Sequence, residues 1–210
     1  MKAALSPWAA SALGWFLLKL VRVLTGAQAR WYGCPPQAEQ RIYFANHQSH
    51  ADLVMIWAAL PHELRSITRP VAARDYWTKT PVREWITTAV FNAVYVDRER
   101  KGDSDPLLPL EQALASGDSI ILFPEGTRGD GEEPQPFKSG LYTLALKFPH
   151  VVLVPAWIDN IQRVMPKGEV VPVPILCSVT FGAPVRVEPG EERRAFLDRA
   201  RAAVVALRDV

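Results

Sequence analysis

Two histidines and an aspartate fall inside the seven-residue stretch Asn46-His47-Gln48-Ser49-His50-Ala51-Asp52. The stretch follows the β-rich run Arg41–Ala45 and precedes the apolar run Leu53–Leu60. A histidine at a strand end with a carboxylate five residues on can work as a general base. Asp52 would take the Nδ1 proton and set the tautomer, leaving Nε2 to accept a proton from a hydroxyl. The same residues also read as a capping cluster, with Asn46 or Ser49 closing the helix start and the histidines exposed. A metal reading would use His47, His50 and Asp52. Ligands at that spacing share one helical face poorly and no fourth is evident, so no metal is expected. None of the four histidines sits in an HExxH pair.

A second segment, Phe123-Pro124-Glu125-Gly126-Thr127-Arg128, ends the apolar run Ser119–Phe123. Open α/β sheets receive their ligands outside the carboxyl ends of such strands. Glu125 and Arg128 supply a carboxylate and a guanidinium beside a glycine that lets a ligand come close to the backbone. Standing alone, the segment is equally a turn that carries a surface ion pair.

These segments need elements to hold them, and the chain alternates between strand and helix patterns. Strands are expected at 41–45, 93–96, 119–123, 151–155, 178–181 and 185–187. Helices are expected at 53–60, 107–115, 141–148 and 191–207, the last with Phe196, Ala200, Ala203, Val204 and Leu207 as its apolar stripe. Continuous apolar strands separated by helices indicate a sheet buried on both faces. The expected fold is therefore α/β: one domain with a mostly buried mixed sheet flanked by helices. Residues 128–136 read as an exposed loop.

The chain's 210 residues, 49% apolar and 22% charged, suit one globular domain and exclude wholesale disorder. A net charge of +2 is too small for a dedicated nucleic-acid binder. The cysteines Cys34 and Cys177 form neither a CxxC pair nor a disulfide framework, which suits a reducing compartment. The charge is uneven: residues 1–50 carry five Lys/Arg against one Glu, and residues 101–150 carry four against eight Asp/Glu. A basic start suits an anionic membrane surface, at about 1 kcal/mol for each well-placed cation, although charge alone favours a plain solvated face.

Ala3–Leu18 is a charge-free, mostly apolar run of sixteen residues. As a helix it spans about 24 Å, short of the roughly 30 Å hydrocarbon core. Leu13, Phe16, Leu17, Leu20 and Leu24 form one stripe, with Trp15, Lys19 and Arg22 on the other side. The reading is an interfacial or shallowly inserted helix over residues 1–25, followed by the main domain over residues 26–210. Three alternatives stand beside it: a core helix, a spanning helix with snorkelling charges, and a signal peptide cleaved at Ala27-Gln28-Ala29.

Taken together, the motifs resemble those of the glycerolipid acyltransferases, in particular the 1-acylglycerol-3-phosphate acyltransferases. His47 and Asp52 match the family's N-H-x4-D pattern and residues 123–128 match F-P-E-G-T-R. Between them Asn92–Arg98 is similar to the family's block ending in arginine. Phe137-Lys138-Ser139-Gly140 resembles F-K-x-G, and Val154–Ile158 the late V-P-x-x-I block. Asn92 and Ala156 depart from the usual glycine and valine. The resemblance spans residues 30–185.

It implies transfer of a fatty acyl group from a thioester to a lysophospholipid hydroxyl, with no cofactor beyond that co-substrate, acyl-CoA or acyl-carrier protein. His47 would be the base and Asp52 its orienter. Arg98, Glu125, Gly126, Thr127 and Arg128 would form the acceptor site, with Arg69, Arg74 and Lys138 as further cations for the phosphate. No G-x-S-x-G elbow is present, so direct transfer is expected, with Ser49 the only credible nucleophile for an acyl-enzyme. The implied location is the cytoplasmic face of a membrane, the partners being lipid surface and donor, with no nucleic acid. A hydrolase, a silent membrane-binding module and an acyltransferase for another acceptor, such as glycerol-3-phosphate, are the rival readings.

Overall fold

The structure, a computed structural model, describes residues 7–26, 28–49, 51–97, 105–129, 133–159 and 177–210. Seven strands make one mixed sheet: β1 (Gln28–Trp31), β2 (Arg41–Ala45), β3 (Thr68–Ala73), β4 (Val94–Val96), β5 (Ser119–Leu122), β6 (Val152–Ile158) and β7 (Ser178–Phe181). Their order across the sheet is β1-β7-β6-β2-β5-β3-β4. Every neighbouring pair is parallel except β6 with β7.

The apolar runs are continuous because both faces of the sheet are covered. Alternate residues of a strand point to opposite sides. Tyr43, Ala45, Ile121 and Val154 join one core with helix α2 (Asp52–Ala59). Ile42, Phe44, Ile120 and Leu153 join the other, with α6 (Leu108–Ala115), α7 (Gly140–Lys147) and α8 (Arg193–Val205). The α/β expectation holds. The strand expected at 185–187 is reduced to a single antiparallel bridge between Val185 and Leu153.

Strand β3 is absent from the sequence reading because Pro70 argues against a strand there. The ladder to β5 covers Thr68–Pro70 and the ladder to β4 covers Val71–Ala73. The proline, which lacks an N–H, stands at the handover between partners. Downstream of α3 (His62–Ser66) and this strand come two short helices, α4 (Arg74–Trp77) and α5 (Pro81–Trp85), and a π-helical turn, Ile86–Val90.

Helix α1 (Pro7–Thr25) is present, and one of its stripes is built into the domain. Leu17, Leu18 and Val21 pack into the α2-side core, and an added Cβ on Gly14 would stand 3.3 Å from Val90 of the π-helical turn. Arg22 donates to the Ala58 carbonyl of α2 at 3.2 Å. Phe16 and Leu20 of the expected stripe are exposed, together with Trp8, Trp15 and Val23; the Leu24 side chain lies outside those described. Helix packing decided the rotation: α1 must bury one stripe on α2 and the π-helical turn, which leaves a second apolar stripe outside. Among the described residues, no helix is long and apolar enough to cross a membrane.

Candidate active site

Strands β2 and β5 are parallel neighbours, with Phe44 level with Leu122. Their carboxyl ends therefore bring the two chemistry-bearing segments side by side. The chain leaves β2 through α2 on one face and leaves β5 through α7 on the other, which opens a crevice between them.

Asn46 fastens the first segment, and it does so as a strand mimic rather than a helix cap. Its side chain accepts from the Ile158 N–H at 2.8 Å and donates to the Ile158 carbonyl at 3.1 Å. The β2–β6 ladder thereby extends one step past Ala45. The N-cap of α2 is Ala51, which offers no side-chain cap, and Ser49 Oγ accepts from the Ala51 N–H at 3.2 Å instead.

His47 and Asp52 meet as expected, with Nδ1 of His47 2.8 Å from Oδ2 of Asp52. The same carboxylate oxygen accepts the N–H groups of Gln48 at 2.6 Å and Ser49 at 2.8 Å. Asp52 is fully buried, whereas the His47 side chain keeps 17% of its surface. The carboxylate is held by the loop that it orients. The imidazole also stacks on Phe123, with ring centroids 4.4 Å apart and planes inclined at 19°. With Nδ1 committed to Asp52, Nε2 is the nitrogen left for a substrate.

Beside His47 lies a cavity of about 750 Å³. Its greasy wall comes from Leu53, Val71, Trp77, Val96, Leu110 and Phe123. Its polar lining includes Lys138, Ser139, Asp97 and Asp105. A cavity of this size suits a lipid-sized ligand. Of these wall residues only Val96 and Phe123 belong to a sequence motif, and only the sheet order brings them together.

The other candidates are distributed unevenly. Gly126 lines the cavity in a left-handed conformation (φ +71°), and Lys138 Nζ lies 2.5 Å from where a Cβ on it would stand. The Lys138 backbone N–H donates to the Pro124 carbonyl at 2.8 Å, which fixes this approach. Thr127 and Arg128 are exposed and do not line the cavity. Arg98 and His50 lie outside the described residues. Arg69 is occupied elsewhere, pairing with Asp118 at 3.0 Å and donating to the Asn92 carbonyl at 2.8 Å. Arg74 pairs with Asp97 at 3.3 Å and lies over the Tyr95 ring.

Glu125 stands apart from its expected company. It is 2% exposed, and its two oxygens accept the His47 N–H at 2.6 Å and the Gln135 N–H at 2.7 Å. Burial pushes its pKa above the usual carboxylate range, and the two amide bonds oppose that shift. Neither cysteine is poised as a nucleophile. Burial raises the Cys34 thiol, against the pull of Arg41, and pushes Cys177 up to about 11.

Residues 34–159 match a family model described as acyltransferase. The chain is 28% identical over 135 residues to the lyso-ornithine lipid O-acyltransferase of Brucella abortus (strain 2308), which covers 62% of this chain and 46% of that protein. It is 30% identical over 172 residues to the human 1-acyl-sn-glycerol-3-phosphate acyltransferase alpha, covering 79% of this chain and 58% of that one. The chain thus spans about half the length of the curated relatives it matches. In fold it is similar to the crystal structure of the 1-acyl-sn-glycerophosphate (LPA) acyltransferase PlsC from Thermotoga maritima. The TM-score is 0.68 at 20% identity, over 96% of this chain and 80% of that one.

Proposed function

The chain belongs to the acyltransferase family, and on that footing we propose that it moves a fatty acyl group from a thioester to the sn-2 hydroxyl of 1-acylglycerol-3-phosphate, giving phosphatidic acid. One observation carries the reading: a buried carboxylate pins Nδ1 of His47 at the wall of a lipid-sized apolar cavity. Nε2 takes the proton of the hydroxyl as its oxygen attacks the thioester carbonyl. Asp52 stabilises the imidazolium that results, and the proton then passes to the departing thiolate. The acyl chain lies against Leu53, Val71 and Trp77. The acceptor's anionic head faces Lys138 beside Gly126, with Arg98 and Arg128 as outer cations.

The test is incubation with labelled lysophosphatidate and either acyl-CoA or acyl-carrier protein, with the products separated by chromatography. A two-tailed product supports transfer, and free fatty acid alone would make the protein a hydrolase. A second reading, acylation of another lysolipid, is favoured by Asp97 and Asp105, which line the same cavity. Carboxylates there suit a head bearing an ammonium, such as the ornithine head named for the Brucella relative. Offering both acceptors in one assay separates the two readings.

Direct transfer makes Ser49 dispensable. Ser49→Ala is expected to keep most of the activity and to lose about 1 kcal/mol of stability with the hydrogen bond to the Ala51 N–H. A near-complete loss of turnover, with folding intact, would restore the acyl-enzyme route.

Both tails of the product are insoluble, so the enzyme must work at a lipid surface on the cytoplasmic side, where the donor arrives. The outer stripe of α1 carries Trp8, Trp15, Phe16 and Val23, with Lys19 beside the Trp15 ring. Because Leu17, Leu18 and Val21 are built into the core, deleting residues 1–25 would also strip apolar surface from the domain. Surface substitutions are the cleaner test. Trp15→Ala combined with Phe16→Ala is expected to weaken binding to phosphatidylserine vesicles about 100-fold in a sedimentation assay. Unchanged sedimentation would assign the membrane contact to another surface.

A further inference from the structure

Glu125 sits in the motif beside the site, yet its surroundings leave a lipid head no atom to bind. Its carboxylate is 2% exposed and is spanned by two backbone donors, His47 N–H at 2.6 Å and Gln135 N–H at 2.7 Å. The packing above it is close, since a Cβ on Gly129 would stand 3.3 Å from Oε2. Gly129 in turn donates its N–H to the His47 carbonyl at 2.8 Å. Both polar atoms of the His47 main chain are therefore held by the 125–129 segment, the N–H by a charged acceptor and the carbonyl by an amide.

We propose that Glu125 is a positioning residue: its carboxylate staples the main chain of His47 and the loop at Gln135 to the end of β5, and it makes no contact with the acceptor. The inference rests on His47 being the base. The side chain of His47 is fixed at three places, by Asp52 at its edge, by Phe123 at its face and by Glu125 through its peptide. An imidazole carried on the loop between strand β2 and helix α2 has no helical backbone of its own to hold its main chain. The short bonds between amide and carboxylate supply that rigidity, since charge-assisted hydrogen bonds are about twice as strong as neutral ones. A glutamate is required because two donors converge from opposite sides. A glutamine keeps one acceptor and turns its NH2 toward the other amide, so that donor meets donor.

The experiment compares Glu125→Gln, Glu125→Ala and His47→Ala with the unaltered chain, with kcat and the acceptor KM measured separately. Glu125→Gln is expected to lower kcat by roughly 100-fold, the scale of a misplaced catalytic group, with the acceptor KM within about threefold. The His47 amide proton, followed by NMR, should move upfield and exchange faster in Glu125→Gln as the short bond is lost. Glu125→Ala should show the same changes more strongly, with thermal melting reporting that the fold is retained. A tenfold or greater rise in acceptor KM with kcat retained would overturn the proposal and make Glu125 an acceptor ligand. An unmoved His47 amide signal, or a fully active Glu125→Gln, would overturn it too. Full activity in His47→Ala would instead remove the base reading, while the amide signal would still report on the staple.

Discussion

Replacing His47 by alanine is expected to lower turnover by about 10²–10⁴-fold, the usual contribution of a positioned general base. The acceptor KM should change little, because the apolar wall and Lys138 remain in place. A sn-2 hydroxyl is a weak nucleophile until its proton is removed, and among the described residues His47 is the histidine that lines the cavity. The fall should be independent of the donor, since the proton to be moved belongs to the acceptor. Steady-state rates with saturating lysophospholipid give the result directly. Retention of activity within tenfold would mean that another group takes the proton.

The second large effect is expected at Asp52, and here the substituent matters. Asp52→Asn is isosteric, and an amide oxygen placed at the Oδ2 position still accepts from Gln48 N–H, Ser49 N–H and the imidazole. What it loses is the charge that favours imidazolium over imidazole. Turnover should therefore fall by about 10⁴-fold, the scale of an Asp→Asn change behind the catalytic histidine of an unrelated enzyme, with the thermal midpoint nearly unchanged. Asp52→Ala abandons both loop amides as well and should also destabilise the fold by about 1–3 kcal/mol. Measuring rate and melting for both variants separates the two jobs of this carboxylate. Equal rates for Asp52→Asn and the unaltered chain would show that orientation alone, without charge, serves the base.

Much of this was legible in the one-dimensional pattern. Arg41–Ala45 and Ser178–Phe181 read correctly as strands because a sheet covered on both faces demands unbroken apolar runs. The pairing of His47 with Asp52 was legible for a local reason. Five residues across a strand-to-helix turn leave little freedom, and the Gln48 and Ser49 amides draw the carboxylate back onto the loop. Helix α1 was legible as a helix with an apolar stripe, of which Phe16 and Leu20 are exposed, whereas the stripe it packs into the domain was not legible. Its residues Leu13–Val23 carry enough apolar groups for two stripes, and only contact with α2 and the π-helical turn decides which one is buried.

The roles within the second motif were less accessible. Glu125, Gly126, Thr127 and Arg128 are adjacent in sequence and alike candidates for the acceptor site. The fold separates them into a buried staple, a cavity wall beneath Lys138 and two exposed side chains. Strand β3 was hidden by its proline for a related reason, since its hydrogen bonds pass from one neighbour to the other at that residue.

By itself, then, the sequence determined the α/β class, the imidazole–carboxylate pair and the presence of an amphipathic first helix. Each depends on residue types and on separations of a few residues, which local geometry converts directly into structure. Tertiary structure alone decided that β5 lies beside β2, that the Glu125 carboxylate grips the His47 backbone, and that an apolar cavity opens where the two strands end. Those are contacts between segments about 80 residues apart. No local spacing encodes them, because the strand order is settled by how whole faces bury one another.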